Sequence, residues 1–203
     1  NIIFYNIPTN RIWLRDSGPI FLVNEINKNK ILLNFKFNAW AKYNDYQKDN
    51  LINNKISKIT KIKKINPTIK INNKHKQVVL EGGAIDVNGK GSILLTKECL
   101  LSKIQERNPG ITKHVLENVL KKYLNVTNFI WLNKGIEGDD THGHIDDIAR
   151  FVSENTIMTA VENNKKDINY LNLKENYKIL NQAKNFKGKK FRIIKIPMPK
   201  PIY

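Results

Sequence analysis

Three acids, Asp16, Glu81 and Asp146, stand 65 residues apart along the chain. Each opens a stretch whose pattern predicts two strands, a helix and a strand, and repetition at a fixed spacing constrains a fold more than any single motif. In the first stretch 19–23 and 30–37 read as strands across an Asn/Lys turn, 45–59 has helical spacing, and Thr68–Ile71 reads as a weak strand. In the second, 77–80 with 84–87 reads as a strand that turns at 88–91 into Ser92–Thr96. Thr112 then caps a helix running to Leu124, and Asn128–Leu132 closes the round. The third predicts strands at 147–152 and Thr156–Val161, a helix over 167–185 stopped by Gly188, and a strand at 190–196. The fold class is therefore α/β. A β-β-α-β unit cannot cover both faces of its sheet alone, so such units pack around a common axis, and the three acids are expected to meet near it.

The 203 residues carry 35 Lys and Arg against 18 Asp and Glu, a net charge of +17. Nucleic acid or an anionic membrane is the first partner that such a balance suggests. Only Arg11, Arg15, Arg107, Arg150 and Arg192 are arginines, however, and recognition of bases or phosphates leans on the bidentate arginine fork. We expect a solvated lysine surface, with no nucleic-acid and no membrane partner. No run approaches the 18 or so apolar residues of a membrane span. The single cysteine, Cys99, excludes an internal disulfide and a Cys-rich zinc site. No leader peptide is visible, which points to the cytoplasm. The chain opens on Asn1 against the strand-like run 2–5, as a chain cut inside a domain would. The opposite charge gathers in one place: between Glu137 and Asp147 there are five acids and no Lys or Arg. A small cationic ligand suits such a segment, and the EF-hand pattern does not fit it.

Three motifs carry chemistry. Trp13-Leu14-Arg15-Asp16-Ser17-Gly18-Pro19 punctuates entry into a strand, and Asp16 there reads equally as a turn acid. Glu81-Gly82-Gly83 follows an apolar run. Glycine inside a strand marks a bulge or the close approach of another backbone, and a buried Glu81 needs a partner. Residues 138–151 interleave acids with His142 and His144. His144 and Asp146 are two apart, so a strand would turn them to one side. A carboxylate beside an imidazole favours the protonated ring and suits a general acid. His142 and His144 also form a His-x-His pair that carboxylates could complete into a metal site. The other two histidines, His75 and His114, lie apart from it, so we expect no metal.

Trp-x-Arg-Asp-x-Gly-Pro at 13–19, Glu-Gly-Gly at 81–83 and Asp-Asp-Thr-x-x-His-Ile-Asp-x-x-Ala-Arg-Phe at 139–151, in that order, resemble the agmatine deiminase and bacterial (Porphyromonas-type) peptidylarginine deiminase family. Segments 95–101 with Arg107-Asn108-Pro109, and 196–201, are similar to it too. The resemblance implies a pentein α/β propeller of five β-β-α-β repeats around a pseudo-fivefold axis. Five such repeats need about 325 residues. We therefore expect about three of five repeats (approximately 1–75, 76–134 and 135–203) in one incomplete catalytic domain over 1–203, a fragment lacking both ends. The nucleophilic cysteine is expected outside the chain, with Cys99 a small packing group. The implied reaction is hydrolysis of agmatine to N-carbamoylputrescine and ammonia, in polyamine synthesis. Asp16 and Asp146 would bind the guanidinium and His144 would serve as acid and base. Trp13, Glu81 and Asp140 would line the substrate. No cofactor is implied, and a homo-oligomer is compatible. Three alternatives stand beside it: deimination of free or peptidyl arginine, a metal-dependent hydrolase using His142 and His144, and a non-catalytic guanidine- or polyamine-binding fragment.

Overall fold

A computed structural model describes residues 2–71 and 74–200 of the chain. Asn1 and the Pro201 end of the 196–201 segment lie outside the described residues. Two structural units emerge: the chain up to Gly82 with Arg107–Ile111, and Gly83–Glu106 with the chain from Thr112 onward.

In the first unit a single helical turn, α1 (Leu14–Ser17), leads into β1 (Ile20–Val23), which pairs antiparallel with β2 (Lys30–Leu33). The helix α2 (Asp49–Thr60) then returns the chain so that β3 (Lys63–Ile65) lies parallel to β2. A parallel partner needs such a crossover, whereas an antiparallel one needs only a turn. A separate antiparallel hairpin follows, β4 (Thr68–Ile71) with β5 (Lys74–Gln77).

The second unit repeats this order twice. β6 (Asp86–Val87) pairs antiparallel with β7 (Ser92–Thr96), and the helices α3 (Lys97–Leu101) and α4 (Lys113–Leu124) precede β8 (Asn128–Leu132), parallel to β7. β9 (Ala149–Ser153) pairs antiparallel with β10 (Thr156–Val161). The helix α5 (Tyr170–Gln182) precedes β11 (Arg192–Pro197), parallel to β10. The second strand is the middle one in each three-stranded sheet. All five residues of β7 are buried, as a strand covered on both faces requires.

The 65-residue spacing has a structural counterpart. Asp16 lies in α1 before β1, Glu81 precedes the 3-10 turn Gly82–Ala84 before β6, and Asp146 lies in the 3-10 turn Ile145–Asp147 before β9. Each acid thus stands at the helical turn that feeds the first strand of a sheet. Two elements differ from expectation. The strand expected over 77–80 with 84–87 shrinks to β6, because Gly82–Ala84 forms a 3-10 turn. The strand that closes the first sheet is β3, not Thr68–Ile71, which belongs to the hairpin.

In the first unit Phe37, Ala39 and Trp40 form a buried cluster with Tyr46 against it. Ala39, Trp40 and Ala41 have φ of 49°, 59° and 53°, a left-handed turn built without glycine. Such a backbone costs about 1–2 kcal/mol per residue. In the second unit Leu94, Leu132, Ile145, Ile148, Ile157, Leu173 and Leu180 share one core. Ile145 and Ile148 thereby anchor the turn that carries Asp146. No helix among the described residues is long and apolar enough to cross a membrane.

Candidate functional site

In the second unit the loop from Asn133 to His144 is held at many points. Asn176 of α5 is buried, accepts from Asn133 N at 2.9 Å and donates to Lys134 O at 2.6 Å. Asn169 accepts from Glu137 N at 2.7 Å. Glu98 of α3 accepts from Gly135 N at 2.8 Å, and the Thr96 hydroxyl donates to Gly143 O. The same hydroxyl caps α3 by accepting from Cys99 N at 3.2 Å. Two glycines make the clasp fit. A Cβ on Gly135 would lie 2.6 Å from Gly143 Cα, and one on Gly143, whose φ is +91°, would lie 2.9 Å from Glu98 Oε2.

Asp139 organises the tip. Its carboxylate accepts from Thr141 N and Gly143 N at 2.7 Å each, from His144 N at 3.1 Å and from the Thr141 hydroxyl. Partial burial pushes its carboxyl up, but the hydroxyl and the three backbone donors outweigh burial and hold it below the ordinary value of 3.8.

This scaffold presents His144, 2% exposed, with Nδ1 at 3.9 Å from Asp146 Oδ1. Asp146 Oδ2 faces Arg150 Nη1 at 4.0 Å, and Arg150 Nε bonds Asp86 at 3.1 Å. Beside Asp146 opens a cleft of about 230 Å³ lined by Met158, Ala160, Ile196 and Met198. His144 has an extended backbone and Asp146 sits in a 3-10 turn, so the two do not share a strand face as the two-residue spacing predicts. His142, at φ +63°, turns its Nε2 to Ser102 Oγ at 3.2 Å. Asp140 is exposed, and its carbonyl accepts from Gln105 at 3.4 Å.

The expectation that the chain holds no thiol at the site is overturned. Cys99, 1% exposed in α3, brings its Sγ within 4.8 Å of a ring nitrogen of His144. The physical reason is the Thr96 hydroxyl, which ties the start of α3 to the residue before His144.

In the first unit Asp16 is buried, and its Oδ2 accepts from Trp40 Nε1 at 3.1 Å. Trp13 is 57% exposed. Glu81 is wholly buried and accepts from Arg107 Nε at 2.9 Å, while its Oε2 has no hydrogen-bond partner among the described residues. Asn108 holds the strand-like backbone before Glu81, accepting from Val79 N at 2.9 Å and donating to Val79 O at 2.8 Å. A Cβ on Gly82 would lie 2.1 Å from Arg15 O, so the second motif's glycine packs on the backbone of the first motif. Asp139, Thr96, Glu98, Arg107 and Trp40 are absent from the residues the sequence singles out for the site. Arg107 carries a signal as one of only five arginines, and Asp139 as one of the five acids between Glu137 and Asp147.

The Porphyromonas-type peptidyl-arginine deiminase family model matches residues 2–203. The chain belongs to this family. A curated Legionella pneumophila (strain Paris) protein, provisionally assigned as an agmatine deiminase, is 36% identical over 100% of this chain and 56% of its own length. The solved agmatine deiminase of Enterococcus faecalis is 30% identical with a TM-score of 0.86, over 97% of this chain and 52% of its own. A cysteine-to-serine variant of the C. jejuni agmatine deiminase with substrate bound is 34% identical with a TM-score of 0.83, over 100% of this chain and 56% of its own. The chain spans about half the length of the curated relatives it matches.

These matches correct two further expectations. The expectation of a fragment lacking both ends finds no support in the match itself, which runs without a break from residue 2 to residue 203. Nor is a count of three repeats out of five upheld: solved deiminases superpose over 97% and 100% of this chain. The total of five rested on an expected length of about 325 residues, whereas each three-stranded sheet here has its antiparallel pair and its parallel third strand.

Proposed function

We propose that the chain acts as a guanidine deiminase on agmatine, giving N-carbamoylputrescine and ammonia in polyamine metabolism, in the cytoplasm. The observation that carries this is a buried imidazole with a carboxylate 3.9 Å away and a thiol within 4.8 Å, in a chain of this family. A guanidinium is flat, cationic and rich in donors, and a carboxylate matches it two bonds at a time. We assign Asp146 and Asp16 to that head group, and Trp13, Glu81 and Asp140 to contacts with the substrate. Glu81 keeps Oε2 for a donor because Arg107 engages only Oε1. The apolar lining beside Asp146 suits a methylene chain.

The thiol gives its proton to His144 and the sulfur bonds to the guanidinium carbon; the carbon–nitrogen bond then breaks and ammonia leaves with the proton returned by His144. Water then adds with His144 as base, the carbon–sulfur bond breaks, and a ureido group leaves. Cys99 is the thiol that the chain brings within reach of His144. At 1% exposure it meets substrate only if α3 or the loop yields.

The test is ammonia and N-carbamoylputrescine release from agmatine, compared with arginine and a peptidyl-arginine. His144→Ala and Asp146→Asn should abolish turnover, and exhaustive chelation should leave it unchanged. Near-normal turnover by either variant, or an inactive unaltered chain, overturns the proposal. Cys99→Ser divides the thiol's roles. Lost turnover with agmatine still bound assigns the attack to Cys99, and retained turnover makes it a packing group.

A further inference from the structure

We propose that Trp40 is a positioning residue for Asp16, its indole N–H fixing the carboxylate in the orientation a guanidinium requires. This rests on the guanidinium-binding role given to Asp16 above. Asp16 sits on a helix of four residues, too short to hold a side chain rigidly by itself. It is gripped from outside instead. Trp40 Nε1 donates to its Oδ2 at 3.1 Å, and both residues are buried. An indole N–H can donate but never accept, so it binds a carboxylate oxygen in one sense only and fixes where Oδ2 sits.

The backbone around Trp40 points the same way. A tryptophan that merely fills a core reaches it on ordinary right-handed or extended backbone. Here three successive non-glycine residues, Ala39, Trp40 and Ala41, hold left-handed φ, and strain of this kind persists where surrounding contacts over-determine it. Those contacts are visible. Asn38 Oδ1 accepts from Ala41 N at 3.0 Å. The Phe37 ring meets the indole edge-on at 5.3 Å, and Tyr43 does so at 6.1 Å. The Arg11 guanidinium lies over both rings, at 5.7 Å from Trp40 and 4.7 Å from Tyr43, and is itself bonded to Asp45 at 2.7 Å. On the other side Gly82 abuts the Arg15 carbonyl, so the backbone of α1 is braced while Trp40 braces the side chain.

The test uses the full chain with agmatine as the probe. Trp40→Phe keeps a ring and removes the N–H, and we expect agmatine affinity to fall about tenfold. Combined with Asp16→Asn, it should weaken binding no further than Asp16→Asn alone. The Trp40 indole N–H resonance should move upfield in Asp16→Asn, while that of Trp131, which donates to Glu117 at 2.8 Å, stays in place. Unchanged affinity in Trp40→Phe, additive losses in the double variant, or an unmoved indole resonance each overturn the proposal. Should Trp40→Phe fail to fold, the resonance in Asp16→Asn decides it. An unaltered chain that binds no agmatine overturns the guanidine function and the positioning role together. A binding chain with indifferent Trp40→Phe overturns the positioning role alone.

Discussion

At the scale of single residues, carboxylates in this chain do two different jobs, and only one of them is legible in sequence. Asp139 and Asp140 are adjacent and chemically alike, yet Asp139 gathers three backbone N–H groups and a hydroxyl while Asp140 is exposed. Nothing in the motif distinguishes them, because the difference arises from the left-handed backbone of His142 and Gly143 folding back over Asp139. Asp139→Asn should cost about 1–2 kcal/mol by weakening charge-assisted bonds. Its folded carboxyl lies below 3.8, so its stabilising contribution is complete above that value and is lost as pH falls through the lowered one. The acid limb of a melting-temperature profile taken from pH 7 to 3 should therefore be shallower in the variant, and an identical limb would count against the loop assignment. Glu81 and Arg107 form a pair with both side chains fully buried. Arg107→Ala strands a buried carboxylate and should cost about 3–5 kcal/mol, seen as a melting point lower by roughly 10 °C. Replacing both residues with methionine should recover most of that loss.

At the scale of elements, apolar periodicity and caps are what survive the passage from sequence to structure. Thr112 accepts from Val115 N as an N-cap should, and Leu116, Val119 and Leu120 form the buried face of α4. Ser92–Thr96 and Asn128–Leu132 are apolar throughout their interiors and pair in parallel. β3 escapes the pattern because Lys63 and Lys64 occupy two of its three positions, and its place at the end of the sheet tolerates them. Glycines carry the long-range information that strands lack. Gly82 and Gly143 sit where another chain segment comes closer than a methyl group allows. At Gly82 the obstacle is a backbone oxygen, which cannot swing aside. At Gly143 it is the Glu98 carboxylate, but φ of +91° adds a penalty of its own. Gly82→Ala and Gly143→Ala should each destabilise the chain by more than the roughly 1 kcal/mol typical of a substitution. Gly89→Ala, whose added methyl meets nothing within 4 Å, should cost less than either despite its own positive φ. Denaturant midpoints of the three variants rank them, and the reverse order would show that the clasps do not form.

At the scale of the whole molecule, the charge of +17 and the proposed dicationic substrate are in conflict. The local balance is opposite, since five acids and no Lys or Arg lie between Glu137 and Asp147. The two fields differ in range. Contacts between a guanidinium and Asp146 act within a few ångströms, whereas the lysine surface acts over distances that about 0.1 M salt screens, with a Debye length near 10 Å. Raising ionic strength from about 10 mM toward that concentration therefore removes more repulsion than attraction. We expect kcat/KM for agmatine to rise over this range, because electrostatics set encounter rates. A nucleic-acid-binding protein of the same charge loses affinity steeply over the same range, because its basic surface is the binding site. A steep fall in kcat/KM for agmatine would mean that the acidic segment, and not the lysine surface, sets the long-range field.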